Sequence, residues 1–123
     1  MQKTQPFLEG CVFFYKKGGN MEQQCRLEGK KLIAYMPKEL DHHVAQTLCV
    51  KLDTLIEIYG VKELEFDFSD TEFMDSSGIG VLIGRSKTMG FHQGKVSARG
   101  MRFRVKRIFE AAGLQKMIQV WED

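Results

Sequence analysis

Cysteine is scarce in this sequence, and its three copies are poorly placed to work together. Cys11, Cys25 and Cys49 form no CxxC pair, and an odd number cannot complete a disulfide framework. This pattern favours neither a disulfide-stabilised secreted domain nor a zinc site, so the expected compartment is the reducing cytoplasm. No apolar run approaches the roughly 18 residues that a membrane-spanning helix needs.

An excess of charge of one sign is also missing. The 18 lysines and arginines are nearly matched by 16 aspartates and glutamates, which leaves a formal net charge of +2. A dedicated nucleic-acid-binding domain would concentrate basic residues on one face. With 123 residues, 43% of them apolar, and no internal repeat, the chain has the profile of one ordinary globular domain.

The first twenty residues differ in character from the rest of the chain. Glu9 interrupts their apolar stretch and no small-residue cleavage site follows, so the segment is not interpreted as a signal peptide. The residue pattern predicts a short strand from Cys11 to Tyr15. The Lys-Lys-Gly-Gly-Asn stretch at residues 16–20 is predicted to be a linker.

The same linker has a second interpretation at the level of nucleotides. Residues 17–21 can be encoded as AAA-GGA-GGN-AAY-ATG, a purine-rich ribosome-binding site at a sensible spacing from a start codon. We therefore hypothesise that residues 1–20 are a translated leader and that the domain is residues 21–123. Peptides covering residues 4–16, found by mass spectrometry of the protein from its native host, would contradict this hypothesis.

From Met21 onward the local patterns are regular. Residues 24–36 (QCRLEGKKLIAYM) predict two strands around a turn, and Pro37 ends the second strand because proline lacks a backbone donor. The next segment predicts an amphipathic helix that Asp41 caps and Gly60 ends. Its apolar positions follow helical spacing: Val44, Leu48, Leu52, Leu55 and Tyr59.

The second half of the chain alternates strands with helices. Residues 61–70 (VKELEFDFSD) alternate apolar and acidic side chains, which predicts a strand with one buried face. A helix follows in which Ile79, Leu82, Ile83 and Ser86 share one face, and Gly80 and Gly84 are expected to let a neighbour pack close to it. After the strand at residues 95–99 comes a third helix that Gly113 ends, with Val105, Ile108, Phe109 and Ala112 inward. With residues 115–121 as a final strand or partial helix, the predicted order is β-β-α-β-α-β-α-β, an α/β fold with a mixed sheet.

The segment TEFMDSSGIGVLIG, residues 71–84, places two serines between an aspartate and a glycine-punctuated apolar run. A dinucleotide fingerprint would need a third glycine where Ile83 stands, and no acidic residue follows near residue 98. A hydrolase elbow would need Gly-x-Ser-x-Gly, which neither serine has. A small hydrolase that uses Ser76 with His42 or His43 nevertheless remains an alternative, which a covalent serine probe would test.

Two further features have ordinary structural explanations. Adjacent residues project in different directions, so Asp41-His42-His43 is a poor chelator and no metal or other cofactor is expected. Ser76 and Ser77 are both suited to capping a helix, and Asp75 suits the positive end of its dipole. A phosphate on such an exposed serine would meet free amides, leave the fold intact and add roughly −1.5 to −2 charge at a binding surface.

Three segments carry a family resemblance: ELDHHVAQTL, DFSDTEFMDSSGIGVLIGR and VKRIFEAAGL. Together they resemble bacterial anti-sigma factor antagonists, whose STAS domain is shared with sulfate transporters. The resemblance runs from about Met21 to Trp121. It is strongest to the sporulation antagonists of the sigma factor F pathway.

The resemblance implies a regulatory function rather than an enzymatic one. The unphosphorylated antagonist binds an anti-sigma factor and so releases the sigma factor. That anti-sigma factor is also a serine kinase that phosphorylates the first serine after the motif aspartate, here Ser76, and a phosphatase removes the phosphate. The partner-binding residues that the resemblance implies are Glu39, Asp41, Asp75, Ser76, Ser77 and Gly78. Gly78 is expected to let the kinase backbone approach closely. A STAS scaffold or small-ligand sensor that is never phosphorylated is the alternative within this fold.

The sequence departs from the family pattern at two places. Lys38 follows Pro37 where the family often has glycine before Glu-Leu-Asp, and the third helix lacks the family's Ser-Pro start. The second departure gives a basic cluster: Arg99, Arg102, Arg104, Lys106 and Arg107. Either a solvated helix face or a partner-specific contact accounts for this cluster. Neither departure touches residues 75–78.

Overall fold

The computed structural model describes the backbone of residues 11–17 and 20–121 and the side chains of residues 25–121. Within these residues, strands and helices alternate in the predicted order. The elements are β1 (Cys11–Lys17), β2 (Asn20–Glu28), β3 (Lys31–Tyr35), β4 (Glu39–Leu40), α1 (His42–Tyr59), β5 (Glu63–Asp67), β6 (Phe73–Met74), α2 (Ser76–Phe91), β7 (Lys95–Arg99), α3 (Phe103–Ala111), a 3-10 helix (Leu114–Lys116) and β8 (Gln119–Trp121). The sequence did not predict the two-residue strands β4 and β6.

The main sheet is mixed, as predicted, with the strand order β1-β2-β3-β5-β7-β8. β1, β2 and β3 are antiparallel neighbours, whereas β3, β5, β7 and β8 run parallel. Each parallel connection contains a helix, because parallel neighbours need a crossover of a dozen or more residues. β4 and β6 form a separate small parallel sheet.

The predicted strand at Cys11–Tyr15 is confirmed, and it continues further than the sequence indicated. β1 reaches Lys17, which pairs with Asn20 at the start of β2. The predicted linker over residues 16–20 is therefore wrong wherever the structure describes it, because ladder pairing continues into both of its ends. Residues 18–19 and 1–10 lie outside the described residues, and the leader hypothesis stays a prediction.

Strict alternation along β5 produces two different faces, as the sequence predicted. Leu64 and Phe66, together with Phe68 just beyond the strand, are buried in the core. The opposite face is polar and only partly covered: Glu63 is exposed, whereas Glu65 is only 5% exposed. Its carboxylate lies 3.3 Å from Lys31 Nζ and 3.9 Å from Arg99 Nη1, so the buried charge is compensated.

Helix α1 follows its prediction, with Leu48, Leu52 and Leu55 buried. Gly60 ends it in the left-handed conformation (φ +59°), which glycine adopts without steric cost. No helix within residues 11–17 and 20–121 is long and apolar enough to cross a membrane.

The four residues predicted to share a face of α2 are all at least half-buried, whereas the predicted inward face of α3 was wrong at one position. In α2, Leu82 is buried, but Ile79, Ile83 and Ser86 are half-buried; the buried positions are Gly78, Val81, Leu82, Arg85 and Met89. Because α2 packs against both α1 and β7, the face between these two neighbours is the one that becomes buried. In α3, Val105 and Phe109 are buried and Ile108 is half-buried. Ala112, predicted inward, is exposed because the helix has already ended there.

Candidate functional site

The small sheet of β4 and β6 positions the serine turn. Glu39 pairs with Phe73 and Leu40 with Met74, and the two strands are parallel. Each strand is followed at once by an aspartate and then by a helix. Helices α1 and α2 therefore begin side by side, and the positive ends of their dipoles share one edge of the molecule.

Both helices are capped by the aspartate that precedes them. Asp41 Oδ1 accepts a hydrogen bond from Val44 N at 3.1 Å, which confirms the predicted cap of α1. Asp75 Oδ1 accepts hydrogen bonds from Ser77 N at 2.8 Å and Gly78 N at 3.3 Å. The prediction that a serine caps α2 was wrong, because the extended backbone of Asp75 carries its carboxylate back over these two amides.

The two serines consequently have different environments. Ser76 is the first helical residue and its side chain is exposed, whereas Ser77 is half-buried. The Ser77 hydroxyl lies 3.4 Å from His42 Nδ1 across the junction of the two helices. The expectation that a phosphate on Ser76 would meet free amides was wrong for two of them, since the amides of Ser77 and Gly78 are already bonded to Asp75.

Gly78 belongs to the packing of this turn. It is buried, and a Cβ at this position would collide with Met74 Cγ and lie 3.0 Å from Leu40 Cγ. The space that a side chain would need is thus filled by the small sheet of this protein itself. Gly80 and Gly84 were expected to allow close packing, but nothing lies within 4 Å of a Cβ built at either position, so that expectation was wrong.

Two loops are tied together beneath the turn by residues that the sequence analysis did not single out. Thr71 is fully buried and its hydroxyl donates to Pro37 O at 2.8 Å. The backbone amides of Glu72 and Phe73 donate to Lys38 O, and Lys38 Nζ lies 3.9 Å from Glu72 Oε1. Thr71 lies between Asp70 and Glu72 in a polar stretch, so its local sequence gives no sign that it is buried. These contacts hold Glu39 exposed beside the start of α2.

The geometry bears on the alternatives that the sequence left open. His42 contacts Ser77 and not Ser76, the nucleophile that the hydrolase alternative requires. Among the side chains that the structure describes, those of residues 25–121, no group of three or more histidines, cysteines, aspartates or glutamates could hold a metal ion.

Comparisons with known proteins agree with this architecture. A sequence profile of the STAS domain matches residues 21–123. The anti-sigma F factor antagonist of Paenibacillus polymyxa is 28% identical over 92 residues, which are 75% of this chain and 79% of that protein. The anti-sigma-B factor antagonist of Listeria monocytogenes is 32% identical over 89 residues, 70% of this chain and 75% of that protein.

Solved structures show the same fold. The anti-sigma factor antagonist SpoIIAA in its unphosphorylated form superposes with a TM-score of 0.73 at 25% identity, over 80% of this chain and 86% of that chain. The phosphorylated form of this Bacillus cell fate determinant superposes with a TM-score of 0.67 at 24% identity, over 80% of this chain and 89% of that chain.

Proposed function

The chain belongs to the STAS domain family, and from this premise we propose that it is an anti-sigma factor antagonist switched by phosphorylation of Ser76. In its unphosphorylated form it binds an anti-sigma factor that is also a serine kinase, and the sigma factor is released. Phosphorylated Ser76 prevents this binding, and a serine phosphatase restores it. The protein is a substrate of both enzymes, catalyses nothing itself and works in the cytoplasm.

The observation that carries this proposal is the exposure of Ser76 at the first position of α2. A phosphate there adds roughly −1.5 to −2 charge. The amides of Ser77 and Gly78 already donate to Asp75, so they are not available to bind the phosphate and the new charge stays at the surface. A partner that approaches this edge meets a changed surface, while the core is not disturbed.

The proposed contact surface joins the β3–β4 loop to the start of α2. Asp41 and Asp75 lie there at the caps of two neighbouring helices, and Glu39 is exposed beside them. Three acidic side chains on one edge fit basic residues on a partner. A phosphate on Ser76 would be a bulky, strongly hydrated group beside these carboxylates, and its desolvation cost and like-charge repulsion would oppose close contact. The full set is Glu39, Asp41, Asp75, Ser76, Ser77 and Gly78. Gly78 contributes by keeping the two serines close to the small sheet.

The first test is phosphate transfer from ATP by purified anti-sigma kinases of the F and B types. Relatives named for both types have comparable identity to this chain, so both kinases are needed. We expect one phosphate per chain, mapped by mass spectrometry to Ser76. Ser76→Ala should bind the kinase and take up no phosphate, while the neighbouring control Ser77→Ala should still be phosphorylated.

Two outcomes would contradict the proposal in different ways. Kinase binding without phosphate on Ser76 would make the protein a constitutive STAS scaffold. Neither binding nor transfer with either kinase would exclude an anti-sigma partner of these types. Labelling of Ser76 by a covalent serine probe would instead favour the hydrolase alternative.

A further inference from the structure

The first turns of α3 present an aromatic and basic face to solvent. Phe103 is the first residue of the helix. Its side chain is 77% exposed although the ring is apolar. The guanidinium of Arg107 lies over this ring, 5.7 Å from its centroid. Phe103, Arg104 and Arg107 line a surface groove together with Ile108 and Ala111. We call the three residues Phe103, Arg104 and Arg107 the α3 face.

The α3 face contributes little to folding. Val105 and Phe109 already anchor the helix in the core from its other side. The helix has no acidic residue in its first turn and no side-chain cap at Arg102, so its start carries cations where the dipole is positive. Cations at this end of a helix are unfavourable, as are like charges three residues apart such as Arg104 and Arg107. An arrangement that is unfavourable within the chain becomes favourable when an external surface supplies negative charge.

The start of α3 is linked to the proposed contact surface around Ser76. Helix α3 packs against β6, the strand that leads into Asp75 and Ser76. Arg102 Nε donates to Ser69 O at 3.2 Å, and Arg102 Nη1 lies 3.6 Å from Glu72 Oε2. Because the Glu72 carboxylate also contacts Lys38, a line of ion pairs runs from the start of α3 to the loop that carries Glu39.

We propose that the α3 face is a second part of the partner-binding surface and binds an acidic segment of the anti-sigma factor, an inference that rests on the proposed function. Two arginines can each hold a carboxylate through paired hydrogen bonds, and Phe103 can pack against an apolar side chain between them. Arginine and phenylalanine are enriched at the centres of protein interfaces. The acidic edge at Ser76 and the basic α3 face would then contact opposite charges on one partner, which fixes its orientation.

Two other anionic partners fit the observations less well. Val105 and Phe109 of α3 are buried and Ile108 is half-buried, so Phe103 and the small Ala111 are the exposed apolar residues of the helix, too little apolar surface to enter a lipid surface. The net charge of +2 is small for a protein that binds nucleic acid.

The test measures binding of the full chain to its anti-sigma kinase by titration calorimetry at two salt concentrations. The variant is Arg104→Glu/Arg107→Glu, and its control is Lys87→Glu/Lys95→Glu, which makes the same charge change at exposed positions of α2 and β7. We expect the α3 variant to weaken binding about tenfold or more and to reduce its salt dependence. The control should bind as the wild type does. Phe103→Ala should also weaken binding about tenfold.

The outcomes separate this inference from the proposed function. Wild-type binding and Ser76 phosphorylation, with no effect of the α3 variant, would overturn the inference and leave the function intact. No wild-type binding at all would overturn both. The melting temperature of the α3 variant should stay close to that of the wild type, since both arginines are exposed and an acidic residue at position 104 suits the start of the helix; this excludes unfolding as the cause. Binding to duplex DNA or to phosphatidylglycerol vesicles that the α3 variant abolishes would overturn the assignment to an acidic protein segment.

Discussion

Single residues at the start of α2 perform separate tasks, and Gly78 shows this most directly. Its hydrogen leaves room for Met74 and Leu40, so the glycine is needed by the fold around the turn. Ser76, two positions earlier, contributes an exposed hydroxyl instead. The Asp-Ser-Ser-Gly motif thus combines a capping residue (Asp75), an accessible serine (Ser76) and a packing residue (Gly78).

The packing of Gly78 gives a matched prediction. Gly78→Ala should lower the free energy of unfolding by about 1–3 kcal/mol, because the added methyl group overpacks a buried contact. Gly80→Ala lies in the same helix with nothing within 4 Å of its Cβ, and it should stabilise the protein by up to about 1 kcal/mol through helix propensity. Urea unfolding of both variants measures the difference. Equal effects at the two positions would contradict the proposed role of Gly78.

Ser76 gives the opposite prediction. Ser76→Asp should change the free energy of unfolding by less than about 1 kcal/mol, since its side chain is exposed and an acidic group suits the start of a helix. The same substitution should weaken binding to the anti-sigma kinase, because it places a hydrated carboxylate beside Asp75 on the proposed contact surface, where desolvation cost and like-charge repulsion oppose close contact. Unfolding and binding titrations on one preparation provide the check. A stability loss well above this range would mean that Ser76 has a structural role.

Pairs of elements are held together by contacts that their own sequences do not reveal. Arg85 of α2 is only 9% exposed, and its Nε lies 2.8 Å from Asp53 Oδ1 of α1. These two atoms lack hydrogen-bond geometry, and within residues 25–121 neither has another hydrogen-bond partner. The two helices are thus joined at this point by charge attraction at short range.

Removing Asp53 should therefore cost stability. Asp53→Ala leaves a buried guanidinium unpaired, and we expect a loss of about 1–3 kcal/mol, moderated by the half-exposed carboxylate. Glu57→Ala, one turn further along α1 and well exposed, should change stability by less than about 0.5 kcal/mol. Adding Arg85→Met to Asp53→Ala should recover part of the loss, because an apolar side chain of similar volume replaces the unpaired charge. Urea unfolding of the three variants tests these values, and indistinguishable results for Asp53→Ala and Glu57→Ala would disprove the role of this pair.

The whole molecule determines the chemistry of Cys25, which lies on β2 beneath the helices. Burial raises the pKa of its thiol from 9.0 to about 12, and the nearby Lys51 lowers it by a smaller amount. The folded protein then keeps a proton between about pH 9 and 12 that the unfolded chain loses. The contribution of Cys25 to stability is complete below about pH 9 and decreases as the pH rises towards 12.

This pH dependence can be isolated by substitution. The difference in unfolding free energy between the wild type and Cys25→Val should be constant from pH 7 to 8.5 and shift against the wild type at pH 10 and above. Comparing the two proteins removes the titration of lysines and tyrosines, which they share. In the native state a thiol reagent should react with half-buried Cys49 long before Cys25. Rapid labelling of Cys25 below pH 9 would contradict its burial.

Several features of this protein follow from its sequence alone. The alternation of apolar and acidic residues in 61–70 was sufficient to predict β5. Helical spacing of apolar residues, with Asp41 and Gly60 at the ends, was sufficient to predict α1. The reason is that these signals are local: side-chain periodicity and end residues act within a few positions. The same holds for the Asp-Ser-Ser-Gly motif, whose resemblance to a family needed no coordinates.

Other features were decided by the tertiary structure. β4 and β6 are two residues each, too short for any periodicity, and they form because Glu39–Leu40 meets Phe73–Met74 in the folded chain. That pairing makes Asp75 the cap, buries Gly78 and exposes Ser76. The buried face of α2 likewise depends on α1 and β7 together. Each of these outcomes depends on neighbours far apart in the sequence, and no local pattern can specify which neighbour a side chain will meet.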